Sequence, residues 1–538
     1  MSISKQMHKT NSECVRLYDT TLRDGCQRKG LSLSLEDKIK VTKLLDGFGV
    51  SYIEGGWPGS NPKDMEYFRR VRQLRLQHSK VVAFGSTCRV GKRADEDANL
   101  QALLAAETPV VTIVGKASVF HVEKVLETTL EENLRLIRDS VAYLKQKGLE
   151  VMFDAEHFFD GYRSDAGYAL ACLKAAVDAG ADWVVLCDTN GGSLPSYVAE
   201  VVTAVIRSGV KNVGVHTHND GELAVANAMA AVESGARQVQ GTLNGYGERC
   251  GNANLISLVP NLQIKMGYHC VPEQSLSKLT ELSRSVSEIA NLSPDQCAAY
   301  VGAHAFAHKA GLHVAAVEKV ASSYEHVDPG VVGNTRQVIV SELSGRGNIR
   351  MLASELGLVV GGNEQTILRQ VKELEEKGYQ FENAEGTVEL MMRRTKAAYQ
   401  APFELIDMHV SVSDRSRHGM NAEAVVKVQV GNVVYHTASE GSGPVNALDQ
   451  CLRKALQSSY PEINDVRLAD YKVRILDPDQ ATNATTRVTI EATTGDDRWC
   501  TVGCSTNIID ASYQALADSL ELFLLRKQET SNREEVVA

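Results

Sequence analysis

The chain has 538 residues, 43% hydrophobic and 23% charged, with a formal net charge of −10 and 11 cysteines. That length exceeds a single hydrophobic core, so two or three domains are expected. No apolar run approaches the ~20 residues of a membrane span, and an acidic chain lacks the clustered Lys and Arg of a nucleic-acid binder.

The cysteines form no CxxC pair, which argues against a zinc ribbon or a disulfide framework. The N-terminus is polar and carries no apolar export segment, so a cytoplasmic protein is expected.

In chain order, short β-branched apolar runs recur about every 25 to 35 residues, the length of a βα unit. About eight stand out, at 15–19, 51–55, 81–84, 110–114, 150–153, 183–187, 213–216 and 238–242. Amphipathic stretches alternate with them, such as 130–147, where Leu134, Ile137, Val141 and Leu144 share a face, and 169–179. Continuous apolar strands alternating with such helices predict an α/β fold, a closed (β/α)₈ TIM barrel spanning 14–271. Gly180 and Gly235 each sit where a helix must end in a left-handed cap before the next strand.

From 272 to 400 the pattern is that of a mostly helical linker or lid. Strands return over 401–527, the span of a C-terminal α+β regulatory domain for allostery or dimerisation, and there a βββα-type repeat appears at an offset of about 64 residues. Ala447, Leu452 and Leu456 align with Ala511, Leu516 and Leu520. The charged tail 528–538 is expected to be mobile.

Chemistry in a (β/α)₈ barrel sits at the C-terminal strand ends. There the sequence places Arg23-Asp24, Glu54, Asp154, Glu156, Asp188-Thr189 and the run His216 to Asp220. Histidines at i and i+2 share one face of a strand, and with Asp24 they make a three-ligand set suited to Mg²⁺, Mn²⁺, Co²⁺ or Zn²⁺. The ligand types do not choose among these metals. Cys250 reads as a buried, inert thiol.

The segments Leu17–Gln27 (LYDTTLRDGCQ), His216–Asp220 and Gly245–Asn254 (GYGERCGNAN) resemble the signatures of the alpha-isopropylmalate, homocitrate and citramalate synthases. These are Claisen-condensing, metal-dependent TIM barrels. EGGWPGSNPKD at 54–64 and EVMFDAEHFFDGY at 150–162 are similar to the longer citramalate synthases in particular. The resemblance spans nearly the whole chain, including the C-terminal repeat, which is similar to the family's amino-acid-sensing domain.

The resemblance implies a divalent metal on Asp24, His216 and His218, with Asn252 as a weak ligand or outer partner. Arg23, Glu156, His313 and Tyr324 are the implied catalytic groups, with His308 a neighbour of His313 in sequence. Arg23, Thr189, Glu54 and Trp57 are the implied substrate-binding residues. A thioester co-substrate, acetyl-CoA, and a 2-oxo acid are expected. Pyruvate giving (R)-citramalate is the leading expectation, with 2-oxoisovalerate giving 2-isopropylmalate or a retro-Claisen lyase as alternatives. Trp57 and Phe158 are expected to narrow the oxo-acid pocket toward pyruvate. Feedback by isoleucine is expected at the two equivalent turns of the repeat, at Gly441, Gly443, Ser505 and Asn507, in a homodimer with no nucleic-acid or membrane partner.

Overall fold

The structure, a computed structural model, describes residues 13–415, 419–495 and 497–537. It divides into two compact units, Met1–Phe306 with Asp328–Thr335, and Ala307–Val327 with Arg336–Ala538.

In the first unit eight parallel strands close into a barrel in sequential order. They are β1 (Arg16–Asp19), β2 (Tyr52–Gly56), β3 (Lys80–Ser86), β4 (Val110–Lys116), β5 (Glu150–Glu156), β6 (Trp183–Asp188), β7 (Val213–Thr217) and β8 (Gln238–Gly241). The ring closes where β8 pairs with β1. All eight predicted runs are strands, because strands covered on both faces carry the continuous apolar signal of a parallel sheet. The helix Leu130–Gln146 buries Ile137, Val141 and Leu144. Gly180 and Gly235 hold φ of 99° and 113°, values that favour glycine at the helix-to-strand junctions.

Along each strand every second residue points at the barrel axis. Tyr18, Tyr52, Val82, Val110 and Met152 form an apolar floor with Trp183 against it. One step nearer the C-terminal mouth the inward residues turn polar: Glu54, Thr112, Asp154, His216 and Gln240, all buried. The floor seals the barrel, and the polar layer above it supports the site.

In the second unit β9 (Ala307–His308) and β10 (Gln337–Val338) form a parallel pair, a ladder too short to leave a period in the sequence. Helices Arg346–Glu355, Glu364–Glu376 and Glu385–Arg394 pack on Ile349, Ile367, Val371 and Phe381.

The C-terminal repeat follows. Antiparallel β11 (Glu404–Arg415), β12 (Gly419–Val430) and β13 (Val433–Gly441) lead to the helix Pro444–Leu456. Then β14 (Arg467–Ile475), β15 (Thr486–Thr494) and β16 (Asp497–Ser505) lead to the helix Ile508–Val537. Both sheets break register at corresponding points, Leu405/Asp407 and Leu468/Asp470. All six aligned apolar residues of the two helices are buried.

The last helix runs on through Val537, into the segment expected to be mobile. Glu529 on this extension pairs with Arg393 and Lys396. No helix among the described residues is long and apolar enough to cross a membrane.

Candidate active site

Beyond β1 the chain turns through Thr20 to Arg23 and Asp24; β7 ends just after His216, with His218 next to its last residue. Among the described residues, the one group of three possible ligand side chains converging within 4.8 Å is Asp24, His216 and His218, all buried. Asp24 Oδ2 lies 3.4 Å from His216 Nε2 and 3.8 Å from His218 Nε2, and the two imidazole nitrogens are 3.2 Å apart. Burial opposes the charge on Asp24, but Arg23 and His216 outweigh it and hold the carboxyl well below the usual range. His218 is pushed down to about 3, first by burial and then by His216, which leaves it a neutral imidazole with a lone pair.

The polar layer beneath orients this cluster. His216 Nδ1 lies 2.9 Å from Gln240 Oε1, and because that oxygen only accepts, a proton sits on Nδ1 and Nε2 is turned toward Asp24. Gln240 Nε2 in turn donates to Asp154 Oδ1 at 3.1 Å. Burial pushes the Asp154 carboxyl up to about 7.

Asn252 Nδ2 donates to Asp24 Oδ2 at 2.7 Å and lies 3.0 Å from His216 Nε2. Its Oδ1 is buried without a partner, in a spot where a side chain on Gly247 would approach to 1.9 Å. Turning the amide over brings that orphan oxygen to the cluster. One carboxylate, two imidazoles and an amide oxygen fit a divalent cation of the mixed nitrogen and oxygen class.

Above the cluster lies a cavity of ≈ 230 Å³, walled by Arg23, Trp57, Phe84, Val114, Glu156 and Thr189 among others. The Arg23 Nε donates to Glu54 Oε1 at 2.6 Å, leaving the terminal nitrogens on the cavity side, one of them 3.6 Å from Asp24 Oδ1. Thr189 Oγ1 accepts from the His157 amide at 2.8 Å, so its proton is free to donate. Glu156 pairs with Lys116.

The cavity thus gathers Arg23, Asp24, Trp57, Glu156, Thr189, His216 and His218. Glu54 is set apart from it: fully buried, it accepts from Arg23 and, at 2.6 Å, from the Tyr18 hydroxyl. Phe158 does not narrow the pocket. His157 takes a left-handed φ of 57°, and Phe158 turns fully into the core against Phe159 and Tyr162.

Cys250 is not a buried thiol. It is exposed on a turn between Arg249 and Gly251, both at positive φ. It borders a second cavity of ≈ 620 Å³ that Asn252, Arg28 and Arg284 also line.

In the second unit His313 and Tyr324 are exposed and stack with centroids 4.2 Å apart. His308 is buried and lies 3.2 Å from Glu325, which also binds Arg336, so the two histidines have distinct surroundings. Gly441 and Gly443 end β13 and start the next helix, and Ser505 and Asn507 hold the equivalent turn after β16. Sequence reasoning missed the roles of Gln240, Lys116 and Asn99; the period-two count along β8 was the available signal for Gln240.

Three family models cover the chain. Residues 14–286 match the HMGL-like family, 300–379 the homocitrate synthase post-HMGL domain-like family, and 382–524 the LeuA allosteric (dimerisation) domain. The (R)-citramalate synthase of Geobacter sulfurreducens is 50% identical over 521 residues, covering 96% of this chain and 98% of the relative. That of Aquifex aeolicus is 49% identical over 524 residues, covering 96% and 99%. A probable 2-isopropylmalate synthase of Methanopyrus kandleri falls to 32% over 518 residues, with 96% and 99% covered. With half of all positions shared end to end across barrel, helical region and C-terminal repeat, the chain belongs to the (R)-citramalate synthase family.

Proposed function

We propose that the protein condenses acetyl-CoA with pyruvate and water to give (R)-citramalate and CoA, on the route from pyruvate to isoleucine. The observation that carries this reading is the near-half identity, over the full length, to relatives named (R)-citramalate synthase, against 32% to a probable 2-isopropylmalate synthase. A 230 Å³ cavity walled by Trp57 and Phe84 agrees with a small oxo acid.

Asp24, His216 and His218, with Asn252 as an outer or weak ligand, would hold a divalent cation (Mg²⁺, Mn²⁺, Co²⁺ or Zn²⁺), which when bound would supply Lewis-acid polarisation of the ketone. The chain's own groups do the rest. Thr189 donates its free hydroxyl proton to the pyruvate carboxylate. Glu156 removes a proton from the thioester methyl group, with Lys116 beside it and His313 and Tyr324 as the further acid–base pair. The methyl carbon's electron pair forms the new carbon–carbon bond, and the ketone π pair moves onto oxygen. Arg23 directs its terminal N–H groups at that oxygen as charge develops. Protonation of the oxygen completes the condensation, and attack of water on the thioester carbonyl breaks the carbon–sulfur bond to release CoA.

The larger cavity, bordered by Arg28, Arg284 and several Ser and Asn side chains, suits the phosphate-bearing and amide-rich arm of acetyl-CoA. Isoleucine as feedback inhibitor binds at the turns bearing Gly441, Gly443, Ser505 and Asn507, in a homodimer built on the C-terminal repeat. The equivalent places of these turns in the two halves of the repeat and the match to an allosteric (dimerisation) domain support that reading.

The test is thiol release from acetyl-CoA against a panel of 2-oxo acids. Release that depends on pyruvate, with citramalate as product, is expected. No release with pyruvate, or faster release with 2-oxoisovalerate, overturns the assignment.

A further inference from the structure

We propose that Asn99, which does not line the oxo-acid cavity, is the positioning residue that sets its size by holding the indole of Trp57. The proposal rests on the function above only for the identity of the substrate.

The backbone of Trp57 is fixed without Asn99. β2 carries an irregularity between Glu54 and Gly56, and the Trp57 amide then donates to Asp64 Oδ2 at 3.0 Å. The other oxygen of Asp64 binds the buried Lys38 at 2.5 Å, and Lys38 also donates to the Gly55 carbonyl at 3.0 Å. Gly56 is obligatory here, with φ of 150° and Asp64 only 2.5 Å from where a side chain would begin. Ring rotation about the Trp57 side-chain bonds is the freedom that remains.

Asn99 removes it. The Trp57 Nε1–H donates to Asn99 Oδ1 at 2.9 Å, and Asn99 Nδ2 donates to the Ser86 carbonyl at 2.6 Å. Since a carbonyl only accepts, the nitrogen of the amide must face Ser86 and the oxygen must face the indole. Asn99 itself is anchored by its backbone N–H on Asp97 Oδ1 at 2.9 Å. Held this way, the indole meets Phe84 edge-on, with centroids 5.4 Å apart and planes at 82°. Phe84 in turn lies under the Arg23 guanidinium. One amide outside the cavity therefore fixes an aromatic wall that ends on the group facing the ketone.

Three enzymes test this: Asn99→Leu, Trp57→Phe and the double variant. The wall should admit a branched oxo acid once the indole is released, and a pocket discriminates such alkyl groups by about 10- to 200-fold. In Asn99→Leu the ratio of kcat/KM for pyruvate to that for 2-oxoisovalerate is expected to fall about tenfold, while KM for acetyl-CoA stays as in the parent. Added to Trp57→Phe, which lacks the indole N–H, it should lower the ratio no further. An unchanged ratio in Asn99→Leu, or effects that multiply in the double variant, overturns the proposal.

A readout without turnover separates it from the proposed function. The indole ¹H–¹⁵N cross-peak of Trp57, identified by its loss in Trp57→Phe, should shift and exchange with solvent faster in Asn99→Leu. An unmoved peak overturns the inference even if pyruvate is the substrate. A parent enzyme with no pyruvate-dependent thiol release overturns the function, and the cross-peak then decides the inference alone.

Discussion

Arg23 Nε sits 2.6 Å from Glu54 Oε1 while its guanidinium lies 3.8 Å over the ring of Phe84. One planar cation is thereby held by a buried carboxylate on one edge and an aromatic face below, with its terminal nitrogens toward the cavity. Lysine keeps the charge but has neither the fork nor the flat face. Arg23→Lys should therefore lower kcat about 100-fold, in the range for loss of an oxyanion donor, with KM for acetyl-CoA changed by no more than about twofold. Steady-state kinetics decide this; a kcat near that of the parent would show that point charge alone suffices.

Divalent-metal dependence follows from the cluster at the mouth of the barrel. Chelation should abolish thiol release, and adding back metal should restore it. If the cation binds only the folded chain, saturation at about 100 times its Kd adds about 2.7 kcal/mol of stability, so Tm should fall on chelation. Asp24→Asn, which removes the one carboxylate of the set, should bind less than stoichiometric metal after purification, as elemental analysis would read. Full metal content in that variant would refute the ligand assignment.

The barrel was legible because each parallel strand is a short apolar run, and the cluster was legible because His216 and His218 stand two apart at a strand end beside a predicted mouth. Relations between distant side chains were not. Nothing local to Asn99 tells that its amide meets an indole 42 positions earlier, and nothing in Gln240 reveals the imidazole above it. Phe158 was misjudged because its direction is set by the left-handed turn at His157, a conformation rarely taken by a residue other than glycine.

Gln240 ties Asp154 to His216, so its loss should be felt in metal affinity before anything else. Gln240→Leu keeps the bulk but leaves Nδ1 of His216 without its acceptor, freeing the ring to take the wrong tautomer. Metal affinity is expected to fall about 10- to 100-fold, the usual cost of losing such an outer partner. Calorimetric titration of metal into the stripped protein checks this, and an unchanged affinity would contradict it.

Gly443 offers a test of the effector reading that spares the fold. Its φ of −168° is open to any residue, and a side chain there meets nothing within 4 Å. Gly443→Val should therefore leave basal activity intact while filling the turn assigned to isoleucine. The expected outcome is parent-like kcat with inhibition by isoleucine lost across a titration. Retained inhibition would place the effector elsewhere.

Asp518, on the last helix, is a buried acid whose titration should be visible in stability. Burial pushes its carboxyl up from 3.8 to about 6, although Arg394, at 2.8 Å, opposes the rise. The folded chain therefore holds a proton that the unfolded chain has already released in this window. For a raised carboxyl the contribution is complete below the unfolded value of 3.8 and is lost as pH climbs through about 6. A rise of that size, with the pull of Arg394 already included, corresponds to at most about 3 kcal/mol. Asp518→Asn, which cannot ionise, should thus gain in Tm relative to the parent as pH is raised across that window and keep a constant offset above it. Parallel Tm curves for the two proteins throughout would mean that Arg394 keeps Asp518 ionised and that burial does not govern its charge.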